Sequence, residues 1–140
     1  MKDPADIDAR ILDEVADALI YSDRSGTIVR WNRVSCTLFG FSAAEALGQN
    51  LDLIIPEHLR AAHWKGFEAA IASGATKLAG RPTLTRALHK TGRKLYIEMT
   101  FALVRNAAGD VLGSVAMARD ATERVERERA AKAASPPQNS

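Results

Sequence analysis

The chain has 140 residues, 46% of them apolar, and a net charge of +2 from 19 basic and 17 acidic side chains. That is enough for one packed domain and too little for two, and so balanced a charge gives no field to gather nucleic acid or an anionic membrane. A lone cysteine, Cys36, excludes an internal disulfide, and with no signal-like apolar start and no run near the roughly 20 apolar residues of a membrane span, the expectation is a soluble, cytoplasmic domain.

The N-terminal segment 1–18 carries an amphipathic helix over residues 5–17. Ile7, Ile11, Leu12, Val15 and Leu19 recur there at helical spacing with acids between them. The domain proper is expected over 18–120. Residues 18–22 read as a strand, 23–26 as a turn in which Gly26 takes positive φ, and 27–31 as a second strand completing a hairpin. Asn32 caps a helix that runs to Phe39 and stops at Gly40. Ser42-Ala-Ala-Glu45 is a capping box opening a short helix ended by Gly48.

Residues 51–55 are apolar and ambiguous. A longer helix is predicted from Pro56, tolerated in a first turn, to its stop at Gly74. Strands follow at 81–90 and 93–104, joined by the tight turn Thr91-Gly92. Leu95, Ile97, Met99, Phe101 and Leu103 alternate strictly over the second of them. A turn at 106–110 leads to a last strand at 111–118. A charged C-terminal helix occupies 121–134, starting at Thr122, and residues 135–140 read as a disordered tail.

This order is of the α+β class: a five-stranded antiparallel sheet with short helices inserted between strands two and three, flanked by N- and C-terminal helices. Both faces of the last two strands are apolar. Val115 and Met117 are assigned to the inward row, and Tyr96, Ala102, Val104, Leu112 and Ala116 to the other face. That second face needs a cover, and the leading helix is the candidate, in cis or from a second subunit.

The element order and several local motifs resemble a PAS sensory domain. Asp23-Arg-Ser-Gly-Thr-Ile-Val-Arg-Trp-Asn32 is similar to that family's D-x-x-G-x-I-x-x-x-N hairpin. Leu38-Phe-Gly-Phe-Ser42, with Glu45 and Gly48-Gln-Asn50 after it, is similar to its inserted short helices. Lys90-Thr-Gly-Arg93 resembles the K-D-G-x turn, with Thr91 for the usual Asp. Arg119-Asp-Ala-Thr-Glu-Arg124 resembles R-D-I-T-E-R, with Ala121 for the usual aliphatic residue. The resemblance covers about residues 8–124 and implies a non-catalytic sensor or interaction module, usually a homodimer, here through the N-terminal helix and sheet face. Its ligand would be haem, flavin, a small acid or nothing, and its signal would pass through the flanking helices to a downstream protein in trans.

On the helix after Pro56, Leu59, Ala62, His63, Gly66, Phe67, Ala70 and Ile71 form one stripe, with His63 in its middle. His58 lies about 140° away round the helix and should be wet. A core-facing imidazole needs a partner for each ring nitrogen, and haem iron is one such partner. Gly66 and Ala62 would let a flat macrocycle approach, and Met99 and Phe101 on the facing strand would cover its other side.

The resemblance adds to this. In the oxygen-sensing PAS domains of rhizobial histidine kinases, the axial histidine follows a Met-Pro-Glu start by the spacing that separates His63 from Ile55-Pro-Glu57. The resemblance therefore implies His63 as the metal ligand. Around it the cofactor-binding set would be Gly66, Phe67, Leu78, Arg81, Thr83, Met99 and Phe101. That family's distal arginine falls at Thr83. Arg81 shares its strand parity and is the expected replacement; without such a cation oxygen would be poorly held, and CO or NO is the expected gas. The other reading is a ligand-free dimerisation adaptor, in which His63 bonds a backbone carbonyl and Gly66 merely allows close packing.

Flavin photochemistry is not expected, since Leu51 stands where light-sensing relatives carry cysteine and Cys36 sits one helix earlier. No zinc spacing, phosphate loop or nucleophile elbow is present. His89 is expected at the surface, Trp31 and Trp64 in packing roles. Arg119 and Asp120 are expected either to form an ion pair anchoring the last helix or to leave Asp120 as its cap.

Overall fold

The computed structural model describes residues 4–134, so the tail expected at 135–140 lies outside the described residues. Helix α1 spans Pro4–Glu14. Strands β1 (Ala18–Asp23) and β2 (Ile28–Trp31) make the first hairpin. Helices α2 (Arg33–Phe39) and α3 (Ala43–Ala46) follow, then 3-10 turns at Leu51–Ile54 and Glu57–Leu59, and helix α4 (Arg60–Ser73). Strands β3 (Thr83–Leu88), β4 (Lys94–Arg105) and β5 (Val111–Asp120) precede helix α5 (Thr122–Ala134). The five strands form one antiparallel sheet in the order β2-β1-β5-β4-β3. This is the α+β architecture read from the sequence.

Local chemistry sets the element ends. In the first hairpin the Asp23 carboxylate accepts from the backbone N–H groups of Ser25 and Thr27, and Gly26 takes φ +85°. The Asn32 carboxamide accepts from Ser35 N–H at the start of α2, and Gly40 closes that helix at φ +82°. Ser42 and Glu45 form both halves of the capping box on α3.

Helix α4 and strand β3 both start later than the sequence reading has them. Helix α4 begins at Arg60, because Pro56 is extended and the next residues close a tighter turn, Leu59 N–H donating to the Pro56 carbonyl. Strand β3 begins at Thr83, after Ala79 (φ +49°) and Gly80 (φ +79°) in left-handed conformations and after Pro82, which has no N–H for a ladder.

The core gathers Ile20, Ile28, Phe39, Ala87, Leu95 and Ile97 on the helix-covered face of the sheet. Facing that side from β5 are Ser114, Ala116 and Ala118. Val115 and Met117 occupy the opposite face, paired with Ala102 and Thr100, which corrects their assignment to the inward row. Both rows of β5 are apolar, so alternation alone left its parity open.

Helix α1 is fastened near the start of α2. Asn32 donates to the Leu12 and Asp17 carbonyls, and Asp13 accepts from Arg33 N–H. Ile7 and Ile11 stay 46% and 53% exposed, so the described residues do not bury the first part of the helix's apolar stripe, and Val115 and Met117 are only half-buried.

Helix α5 docks through buried Val125 and is tied to Tyr96 on β4, whose carbonyl accepts from Ala121 N–H and whose N–H donates to Thr122 Oγ1. Arg124 pairs with Glu98 at 3.0 Å, and the Arg129 guanidinium lies 4.9 Å from the Tyr96 ring centre. Asp120 accepts from Thr122 N–H as a cap, and Arg119 pairs with Asp17 rather than with Asp120.

Candidate functional site

Between α4 and the inner sheet face lies a cavity of about 480 Å3, within the usual size range of small-molecule sites. Its helix wall is the stripe read from the sequence apart from Ile71: Leu59, Ala62, His63, Gly66, Phe67 and Ala70. Its sheet wall is Ile20 and Ser22 from β1, Thr83 and Thr85 from β3, Ile97, Met99 and Phe101 from β4, and Ser114 and Ala116 from β5. Alternate residues of a strand share a face, so the strict alternation on β4 delivers three of these.

The first half of α4 is held firmly. Trp64 Nε1 donates to Asp52 at 2.8 Å, and its indole closes on Gly26, where a Cβ would lie 2.2 Å from the ring. Arg60 donates to the Ile55 carbonyl at 3.0 Å. At the other end the Arg105 guanidinium donates to the carbonyl of Gly74, which caps α4 at φ +73°.

These contacts place His63 against the cavity. Its ring meets Trp64 edge-on at 4.7 Å and stacks beside Phe67 at 5.9 Å. Burial pushes its pKa below the usual 6.5, opposed in part by the negative charge of Asp52, so the imidazole is neutral at neutral pH. Nδ1 is buried and has no hydrogen-bond partner among the described residues. A buried ring nitrogen without a partner is costly if it carries the proton and leaves a lone pair unused if it does not. At Gly66 a Cβ would meet nothing within 4 Å.

His63, Gly66, Phe67, Leu78, Thr83, Met99 and Phe101 all line this cavity. Arg81 does not. It is exposed in the loop before β3, its Nε donating to the Leu78 carbonyl at 3.0 Å. The parity argument that aimed it inward required residue 81 to be in the strand, and Pro82 ends the strand first. Arg86 borders the cavity from β3, but its guanidinium reaches the outer face, 5.9 Å from the Tyr96 ring centre. A cation that the sequence reading missed, exposed Lys77, lines the cavity from the loop after α4, a segment with no periodicity to reveal it.

Leu51 also lines the cavity, whereas half-buried Cys36 does not. His58 is exposed. His89 is half-buried instead of free, its ring filling the space beside Gly40, where a Cβ would lie 2.5 Å from it.

Among the described residues no group of three His, Cys, Asp or Glu is placed to hold a metal ion. Iron held within a prosthetic group needs only one such ligand from the protein, and an imidazole can supply it. The residues present fit such a group: a neutral histidine with an unpartnered ring nitrogen, an apolar chamber and a glycine that adds no bulk. Among the described residues, none of the helices is long and apolar enough to cross a membrane.

Comparison with known proteins agrees with this architecture. Over 53 residues, 38% of this chain and 10% of the relative, it is 40% identical to the sensor protein FixL of Bradyrhizobium diazoefficiens. The chain spans 16% and 10% of the lengths of two of the curated relatives it matches. The PAS domain of a Colwellia psychrerythraea protein superposes with a TM-score of 0.74 at 26% identity, covering 87% of this chain and 100% of that one. An RNA-binding light-oxygen-voltage receptor superposes with a TM-score of 0.72 at 29% identity, over 92% of this chain and 36% of that one. The PAS fold family model matches residues 8–121, and the chain belongs to that family of sensory and signalling domains.

Proposed function

We propose that this PAS domain is a haem-bearing gas sensor with His63 as the axial ligand. The observation that carries the reading is the neutral, cavity-facing imidazole with an unpartnered Nδ1. The partial likeness to FixL, a sensor protein, supports it. When bound, the haem would supply the iron that captures a diatomic gas. The chain's own residues do the rest. His63 would offer the iron the unprotonated nitrogen of a ring that burial keeps neutral. Phe67, Met99, Phe101 and Leu78 would enclose the macrocycle and shield it from water, and Gly66 would leave room for it. Arg86 borders the chamber but turns its guanidinium to Tyr96 on the outer face, which favours CO or NO over oxygen as the gas. Lys77, at the edge, is placed to meet an acidic substituent.

The output would leave through α5. Ile97 lines the cavity, and its neighbour Tyr96 carries the hydrogen bonds that hold the start of α5. A shift of β4 on binding is thus felt directly by that helix. The module would act as a homodimer on a partner in trans, without chemistry of its own, in the cytoplasm.

A flavin is the second reading, favoured by the likeness to a light-oxygen-voltage receptor, although Leu51 and the distance of Cys36 from the cavity argue against a cysteinyl adduct. Titration of the purified chain with haemin tests the choice. We expect a sharp Soret band saturating at one haemin per chain, and its loss in Gly66→Phe, which fills the chamber. A copurified yellow chromophore with flavin fluorescence, and no saturable haemin binding, would contradict it.

A further inference from the structure

The sheet wall of the cavity carries a polar feature that an axial histidine does not use. Ser22 on β1 and Ser114 on β5 are direct cross-strand partners, 0% and 3% exposed, and both line the cavity. Their hydroxyl oxygens lie 3.2 Å apart. Each hydroxyl has one hydrogen to give, and the bond between them uses only one. The second hydrogen has no acceptor among the described residues. A donor buried in an apolar chamber without an acceptor is destabilising until something accepts from it.

We propose that the Ser22–Ser114 pair recognises an uncharged hydrogen-bond acceptor, such as a ketone or amide carbonyl, on an otherwise apolar ligand. The acceptor is uncharged because neither of the two cationic residues that border the cavity, Lys77 and Arg86, brings its charge to this wall. Lys77 is exposed in the loop after α4, and the Arg86 guanidinium lies on the outer face against Tyr96. A carboxylate brought down to the two serines would lose its water with no counter-charge. Ile20 and Ala116, in register beside the pair, leave the rest of this wall apolar. The inference rests on the reading of the cavity as a ligand site, not on haem.

A matched pair of probes tests it. 2-Acetonaphthone and 2-isopropenylnaphthalene have nearly the same shape, and only the first has a carbonyl. Their affinities for the haemin-free chain are read from quenching of tryptophan emission. The parent should prefer the ketone by about fivefold, the worth of one net hydrogen bond. In Ser22→Ala/Ser114→Ala the preference should vanish while the hydrocarbon binds as before. Removing both partners of a buried bond is close to neutral for folding, and melting curves confirm that the variants are folded.

Each single variant leaves one hydroxyl with a free hydrogen, so Ser22→Ala and Ser114→Ala should each keep the preference. Equal binding of the two probes to the parent, or a preference that survives in the double variant or is lost in either single one, would overturn the serine assignment and leave the ligand-site reading standing. If neither probe binds, both fall together.

Discussion

Titration of His63 links its burial to stability. Its pKa in the fold lies below the value of about 6.5 that it regains on unfolding. The unfolded chain therefore binds the extra proton first as pH falls. The destabilisation begins as pH drops through 6.5 and is complete below the folded pKa; above 6.5 this group contributes nothing. Melting temperatures of the parent should fall between pH 7 and pH 5.5 by more than those of His63→Leu, and parallel curves for the two proteins would sink the assignment. At Gly66 the prediction has the opposite sign. A Cβ meets nothing there, so Gly66→Ala should raise stability by about 0.5–1 kcal/mol through helix propensity, measured by urea unfolding. The residue stripe that carries both positions was legible in the sequence because a helix of 3.6 residues per turn brings Leu59, His63, Gly66 and Phe67 to one side. Arg81 and Lys77 were not, since a loop with left-handed residues at 79 and 80 obeys no period.

At the scale of elements, α4 is anchored to the first hairpin by one close contact. Gly26 combines φ +85° with the Trp64 ring directly over it. Gly26→Ala should therefore cost about 2 kcal/mol, from overpacking and backbone strain together, whereas Gly48→Ala, at similar φ but with nothing near its Cβ, should cost about 1 kcal/mol. Equal losses in chemical denaturation would mean that Trp64 does not hold the helix there. Caps and turns at Asn32, Gly40, Ser42 and Gly74 were visible in the sequence because each rests on a local hydrogen bond or a positive φ. The parity of β5 was hidden, because it is decided by pairing with β1 and β4, far away in sequence. Attachment of α5 to Tyr96 was hidden for the same reason.

Taken together, the described residues leave one sheet face thinly covered, with Val115, Met117 and Ala102 on it and Ile7 and Ile11 of α1 exposed. A second copy that sets α1 on this face would bury both. Sedimentation should show a dimer for the parent and a monomer for Met117→Arg; a parent that stays monomeric at high concentration would refute this arrangement.

The central claim is that His63 ligates haem iron, and the most direct test is the absorption spectrum of haemin-loaded His63→Gly with and without added imidazole. The sharp Soret band of the parent should be absent from the variant and return when imidazole fills the space left by the side chain. A variant that shows the parent's spectrum without imidazole would contradict the claim.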